Sequence, residues 1–173
     1  MEYQFQILNI ENENEICEYE KCLFKTYTVN KNILIDYYEI KNERMKLKNI
    51  SYNDLINYVT KFDNKIIAGM TMHINSENEF ILEKMGFKID RNSIVCEGLT
   101  TFVDERYEKD KMEILFKLSD LLIYDIKNRG FKIVYGTTPA KYKNLHALLF
   151  NAEIIECKRI NGENRALIKN TVY

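Results

Sequence analysis

The sequence predicts an α/β fold. A mixed sheet is antiparallel over its N-terminal strands and parallel at its centre, with helices on both faces and a hairpin at its C-terminal end. Three observations predict it. Residues Ile94–Pro139 read as strand (Ile94–Val103), polar turn (Asp104–Asp110), amphipathic helix (Lys111–Arg129) and second strand (Phe131–Thr137), and two strands joined by such a helix form a right-handed crossover in a parallel sheet. Asp63-Asn64 joins two strand-like runs, Leu55–Phe62 and Lys65–Ile74, as a tight hairpin. Near the end of the sequence, Asn161-Gly162-Glu163-Asn164 joins Glu153–Ile160 to Arg165–Val172, with Asn-Gly as the turn signal.

The remaining elements follow in order. Tyr3–Ile10 alternates weakly and reads as a first strand. Asn12–Tyr27 carries Ile16, Tyr19, Leu23 and Phe24 near helical spacing and reads as a first helix. Ile33–Ile40 suits either helix or strand, and Tyr37–Lys48 has helical composition, so a second helix is expected there. Glu77–Met85 reads as a short helical run closed by Gly86, a residue suited to the position after a helix. In the long helix Ile114, Leu115, Leu118, Leu121, Leu122 and Ile126 form an apolar stripe, with Lys117, Asp120, Lys127 and Asn128 facing away. Lys141–Phe150 reads as a last helix. With one proline, no repeat and no low-complexity linker, residues 1–173 are expected to form a single domain.

Composition removes several classes of function. The 173 residues are 46% apolar and 29% charged, ordinary for a soluble globular protein, and the formal charge of −1 gives no footprint for nucleic acid. No apolar run approaches the roughly 18 residues needed to span a bilayer, and the N-terminus lacks the pattern of a secretory signal. A cytoplasmic protein without membrane or nucleic-acid partners is expected. Cys17, Cys22, Cys96 and Cys157 show no metal-ligand spacing, and the only histidines are His73 and His146. The cysteines read as buried reduced thiols, and no metal is expected.

Three segments carry a resemblance. Asn64-Lys65-Ile66-Ile67-Ala68-Gly69 looks like a "dGkivG" hairpin, Glu97 to Tyr107 like a strand leaving through "V-D-P-x-Y", and Asn128 to Thr137 like an "eRGfkkiyl" joining helix to strand. In this order they resemble the GNAT superfamily of acyl-CoA-dependent N-acyltransferases over roughly residues 53–172. The resemblance implies an acyl-CoA substrate, acetyl-CoA foremost, and a small-molecule or peptide amine as acceptor. It also implies that main-chain groups of Leu99, Thr100, Thr101, Phe102 and Val103 hold the pantetheine arm. The family's pyrophosphate turn carries R/Q-x-x-G-x-G/A. The matching positions here are Glu108, Lys111 and Glu113, so the glycines that admit a close diphosphate are missing. Two readings stay open. Asp110 and Glu113 form a capping box that satisfies the helix N-terminus, or Arg106, Lys109 and Lys111 bind the phosphates with their side chains, with Met112 beside them in the cofactor-binding turn.

Aminolysis of a thioester needs a base for the ammonium, a donor for the carbonyl oxygen and an acid for the departing thiolate. Glu97 matches the position of a glutamate base in some histone-type relatives. It shares a strand face with Val95, Leu99 and Thr101, apolar neighbours expected to raise its pKa. Gly98 suits a bulge that exposes a backbone N–H to the thioester. The family's tyrosine acid has no counterpart on the last helix, where Tyr142 or His146 would substitute. Against the N-acyltransferase stand two alternatives: a catalytically degenerate GNAT-like interaction module, and a carrier-protein-dependent synthase of long-chain N-acyl amino acids or acyl-homoserine lactones. An exposed edge strand near the closing hairpin suits a homodimer.

Overall fold

The computed structural model describes residues 2–29 and 36–172. Among these it has nine strands and four α-helices: β1 (Gln4–Ile7), α1 (Glu13–Val29), β2 (Tyr38–Lys41), β3 (Arg44–Leu47), β4 (Leu55–Phe62), β5 (Lys65–His73), α2 (Ile81–Lys84), β6 (Val95–Val103), α3 (Lys111–Asn128), β7 (Ile133–Pro139), α4 (Lys143–Leu149), β8 (Glu153–Ile160) and β9 (Glu163–Thr171). Seven strands form one mixed sheet in the order β1-β4-β5-β6-β7-β9-β8. Its parallel pair is β6 with β7, as the crossover predicted. The chain divides into two compact units, Met1–Thr71 with Thr100–Leu121, and Met72–Leu99 with Leu122–Tyr173.

In the first unit β1 runs antiparallel to β4, from Gln4 opposite Lys61 to Ile7 opposite Tyr58. The β4–β5 hairpin turns on Asp63 and Asn64, both in the left-handed region (φ 49° and 59°), which matches the twist of the strands they join. Helix α1 begins where the Asn12 side chain accepts hydrogen bonds from the backbone N–H of Asn14 and Glu15. It buries Tyr19, Leu23 and Tyr27 at successive four-residue steps. Phe102 lies edge-on to Tyr19 and closes over Gly69. A Cβ at position 69 would stand 2.7 Å from the Phe102 ring, so any larger residue there must displace that ring.

The second predicted helix is not formed. Its part before Asp36 lies outside the described residues, and the rest is the hairpin β2–β3. Asn42 and Glu43 take left-handed backbone (φ 53° and 57°), which breaks a helix and turns a strand. Met45 and Leu47 are buried while Lys46 between them is exposed, a period-two pattern that helical composition had hidden. The first strand is also shorter than predicted, ending at Ile7.

In the second unit β7 pairs with β9 from Ile133–Thr171 to Pro139–Arg165, and β9 with β8 through a two-residue turn at Asn161-Gly162 (φ 48° and 88°). The turn is therefore tighter than the four residues predicted. Helix α2 is confined to Ile81–Lys84, within the longer run expected. Helix α3 is divided between the units: Ile114 and Leu118 of the first and Leu122 and Ile126 of the second are almost completely buried, and Leu121 is half-buried. Burial of each such side chain is worth about 1.5–3 kcal/mol.

Candidate active site

Glu97 lies on β6 with none of its surface exposed. Its Oε1 accepts from His73 Nδ1 (2.9 Å) and from the backbone N–H of Ile81 (2.9 Å), and its Oε2 accepts from the N–H of Leu82 (3.0 Å). Residues Ile81 and Leu82 open α2, so the carboxylate takes two of the donors that a helix start leaves without partners. The pairing also sets the imidazole. A carboxylate at Glu97 can only accept, which requires the hydrogen on Nδ1, and Nε2 is buried without a partner among the described residues. Phe80 lies edge-on to the ring, 5.5 Å between centroids. His73, which the sequence marks only as one of two histidines, is thus the residue joined to the predicted base. No local signal marks it, because the two are 24 positions apart.

Gly98 continues the parallel register unbroken, opposite Gly136. No bulge therefore forms there on the β7 side. The ladder covers Val95–Gly98, and β6 runs on through Leu99, Thr100, Thr101, Phe102 and Val103 beyond it.

The two expected acids lie elsewhere in the second unit. Tyr142 is about half exposed, with the Lys141 ammonium 4.8 Å from its ring centre. His146 packs edge-on to Phe150. Burial first, and then the nearby positive charge of Arg165, push its pKa below the usual histidine range. At neutral pH it is an uncharged imidazole, a proton acceptor more than a donor. Among the described residues neither hydrogen-bonds to Glu97.

In the first unit the turn after β6 holds a hollow of about 340 Å³ bordered by Lys25, Asp104, Glu105, Glu108 and Lys111. Its charges answer one another. Asp104, buried, accepts from the Arg106 backbone N–H (3.0 Å), Arg106 Nε (3.0 Å) and Nη2 (2.8 Å), with Lys25 Nζ at 3.5 Å. The Arg106 hydrogen bonds hold its pKa down at about 2, against the opposing effect of burial. Lys111 pairs with Glu108 (3.1 Å), while Lys109 and Met112 are exposed. The capping box is not formed. Glu113 turns to Lys117 (2.7 Å), the Asp110 N–H donates to the Tyr107 carbonyl, and the Asp110 carboxylate accepts the Tyr3 hydroxyl (2.6 Å).

The thiols divide by exposure. Cys22 and Cys96 are buried, and burial pushes Cys22 up to about 12 and Cys96 upward as well. Cys17 is half-buried and Cys157 exposed, so the expectation of burial fails for these two. Among the described residues no group of three or more His, Cys, Asp or Glu side chains is placed to hold a metal ion. No helix among them is long and apolar enough to cross a membrane.

No protein-family model matches this chain, and no curated protein sequence matches it. Solved structures do match. The acyl-homoserine-lactone synthase LasI superposes with a TM-score of 0.77 at 10% identity, over 99% of this chain and 91% of its own. The CoA-dependent acyl-homoserine lactone synthase BjaI, with SAM and isopentyl-CoA, gives 0.78 at 7%, over 99% and 84%. An N-acetyltransferase from Staphylococcus aureus Mu50 gives 0.59 at 9%, over 99% of each chain. This chain has a GNAT fold. Within that GNAT fold the glycine-poor turn is filled by ion pairs, and the predicted base is bound to an imidazole and a helix start.

Proposed function

We propose that this chain is an acyltransferase that moves an acyl group from a thioester, acyl-CoA, to the nitrogen of a small-molecule or peptide amine by direct attack in a ternary complex. The observation that carries the reading is the likeness of the whole chain, 99% of it, to acyl-transferring GNAT-fold proteins of two kinds, synthases and an acetyltransferase. In the second unit the His73–Glu97 pair supplies the base. Glu97 holds Nδ1–H, and the Nε2 lone pair takes the proton that the ammonium gives up. The free amine then forms its bond to the thioester carbon, the C–S bond breaks, and the thiolate is protonated, with Tyr142 the more suitable donor than the neutral His146. The main chain of Leu99–Val103 binds the pantetheine amides. In the first unit Arg106, Lys109, Lys111 and Met112 border the diphosphate, Arg106 and Lys111 exchanging carboxylate partners for phosphate.

A second reading takes a long acyl chain from a carrier protein, as a synthase. The internally paired turn supports it, since such a donor relies less on a diphosphate cradle. The test is turnover of acetyl-CoA, a medium-chain acyl-CoA and an acyl-carrier thioester with an amine panel, read as thiol release and as the mass of the acylated amine. Turnover of acetyl-CoA, falling at least 100-fold in His73→Gln and Glu97→Gln with donor binding retained, is expected. Turnover of the carrier thioester alone selects the second reading. Failure of the folded protein to bind any thioester sinks both and leaves an interaction module.

A further inference from the structure

The first unit contains a larger hollow than the one at its turn, about 680 Å³, bordered by α1, the β2–β3 hairpin and residues of β4, β5 and β6. Its volume lies within the range of pockets that enclose a compact metabolite. Two polar arrangements line it, and each leaves something unused.

The first is a directed chain of hydrogen bonds. Thr71 Oγ1 donates to Asn57 Oδ1 (2.8 Å), so the Thr71 hydroxyl accepts from that of Tyr19. With Oδ1 an acceptor, Asn57 Nδ2 keeps both of its hydrogens. It has no partner among the described residues although Asn57 is only 1% exposed. A buried amide donor left without an acceptor is costly, and folded proteins retain few of them. The second arrangement is an ion pair. Glu20, buried at the cavity wall, accepts from Arg44 Nε (2.6 Å) on Oε2 and from the Tyr52 hydroxyl (2.9 Å) on Oε1. Each carboxylate oxygen keeps a further acceptor direction, and the Arg44 contact to Glu20 uses Nε, leaving the outer edge of the guanidinium for another acceptor. The wall therefore presents an acid and a base side by side, close to neutral together.

We propose that this cavity binds a compact zwitterion of the α-amino acid type, its ammonium on Glu20, its carboxylate on the outer edge of Arg44, and an oxygen of its body or carboxylate on Asn57 Nδ2. An ion of one charge replaces only one member of the Glu20–Arg44 pair and strands the other, whereas a zwitterion answers both, and the further lining residues Glu13 and Lys46 keep the wall balanced in charge.

The experiment is calorimetric and NMR titration of the full chain with the twenty common L-amino acids at millimolar concentration. The best binder is then compared with its decarboxylated amine and its N-acetyl derivative. Binding of at least one amino acid is expected, weakened about tenfold or more by removal of either head-group charge, by Arg44→Met and by Asn57→Leu. Arg44→Met leaves the buried Glu20 carboxylate with the Tyr52 hydroxyl alone, so Arg44→Lys, which keeps a cation but loses the planar edge, is measured beside it, and thermal melts check all three variants. No binding by the folded wild type, or binding that neither Arg44→Met nor loss of the carboxylate weakens, overturns the proposal. Thioester turnover is measured separately. Amino acid binding without turnover leaves the site and removes the enzyme, and turnover with amines that ignore Arg44 does the reverse.

Discussion

Strand β6 brings one buried carboxylate into each unit, Glu97 near its start and Asp104 just past its end, and the two are held in opposite ways. Glu97 is satisfied by dry donors: an imidazole N–H and two backbone N–H groups of α2. Asp104 is satisfied mainly by cations whose own side chains reach water, Arg106 and Lys25. A carboxylate pinned by fixed dipoles organises the elements around it. One pinned by exposed cations mostly stiffens its own turn, since its partners have water as an alternative.

The largest expected effect breaks that contrast at Glu97. Glu97→Ala leaves His73 Nδ1 and two helix N–H groups buried without an acceptor, and costs about 3–5 kcal/mol in chemical denaturation. Asp104→Ala removes the acceptor that caps the turn (its Oδ1 takes the Arg106 N–H) but strands only solvent-exposed cations, so about 1–2 kcal/mol is expected. Equal losses would mean that both carboxylates act alike and that the contrast is wrong. The smallest effect is the acid dependence of the Asp104 contribution. Its folded pKa, about 2, lies below its ordinary value of 3.8, so this stability is complete above the ordinary value and drains as pH falls from there through about 2. Denaturation midpoints of the wild type and Asp104→Asn should converge over that interval. A gap that persists at its acid end would assign the Asp104 effect to something other than its charge.

Much of the fold was legible because its signals are local. Asp63-Asn64 and Asn161-Gly162 turn where their left-handed propensity predicts, and the α3 stripe is buried as its spacing requires. The β2–β3 hairpin was misread because Lys, Glu, Met and Leu favour helix, while the alternation of Met45, Lys46 and Leu47 spans too few residues to outweigh them. At the candidate site the position of Glu97 was readable but its setting was not. His73, Ile81 and Leu82 reach it from 24, 16 and 15 positions away, across a fold that must exist before they meet. The capping box failed for a related reason, since Asp110 and Glu113 each found another partner, Tyr3 at a separation of 107 residues and Lys117 one turn on.

Helix α2 has a consequence for the order in which the chain folds. Four residues cannot sustain a helix by themselves, since nucleation costs more than one turn returns. Its first amides are tied instead to Glu97, so they gain protection from solvent exchange only after β6 has delivered that carboxylate. In a pulse-labelling experiment the amides of Ile81 and Leu82 should be marked as late as β6 itself. In native-state exchange they should open with that strand, as slowly as core amides do, despite belonging to the shortest α-helix among the described residues.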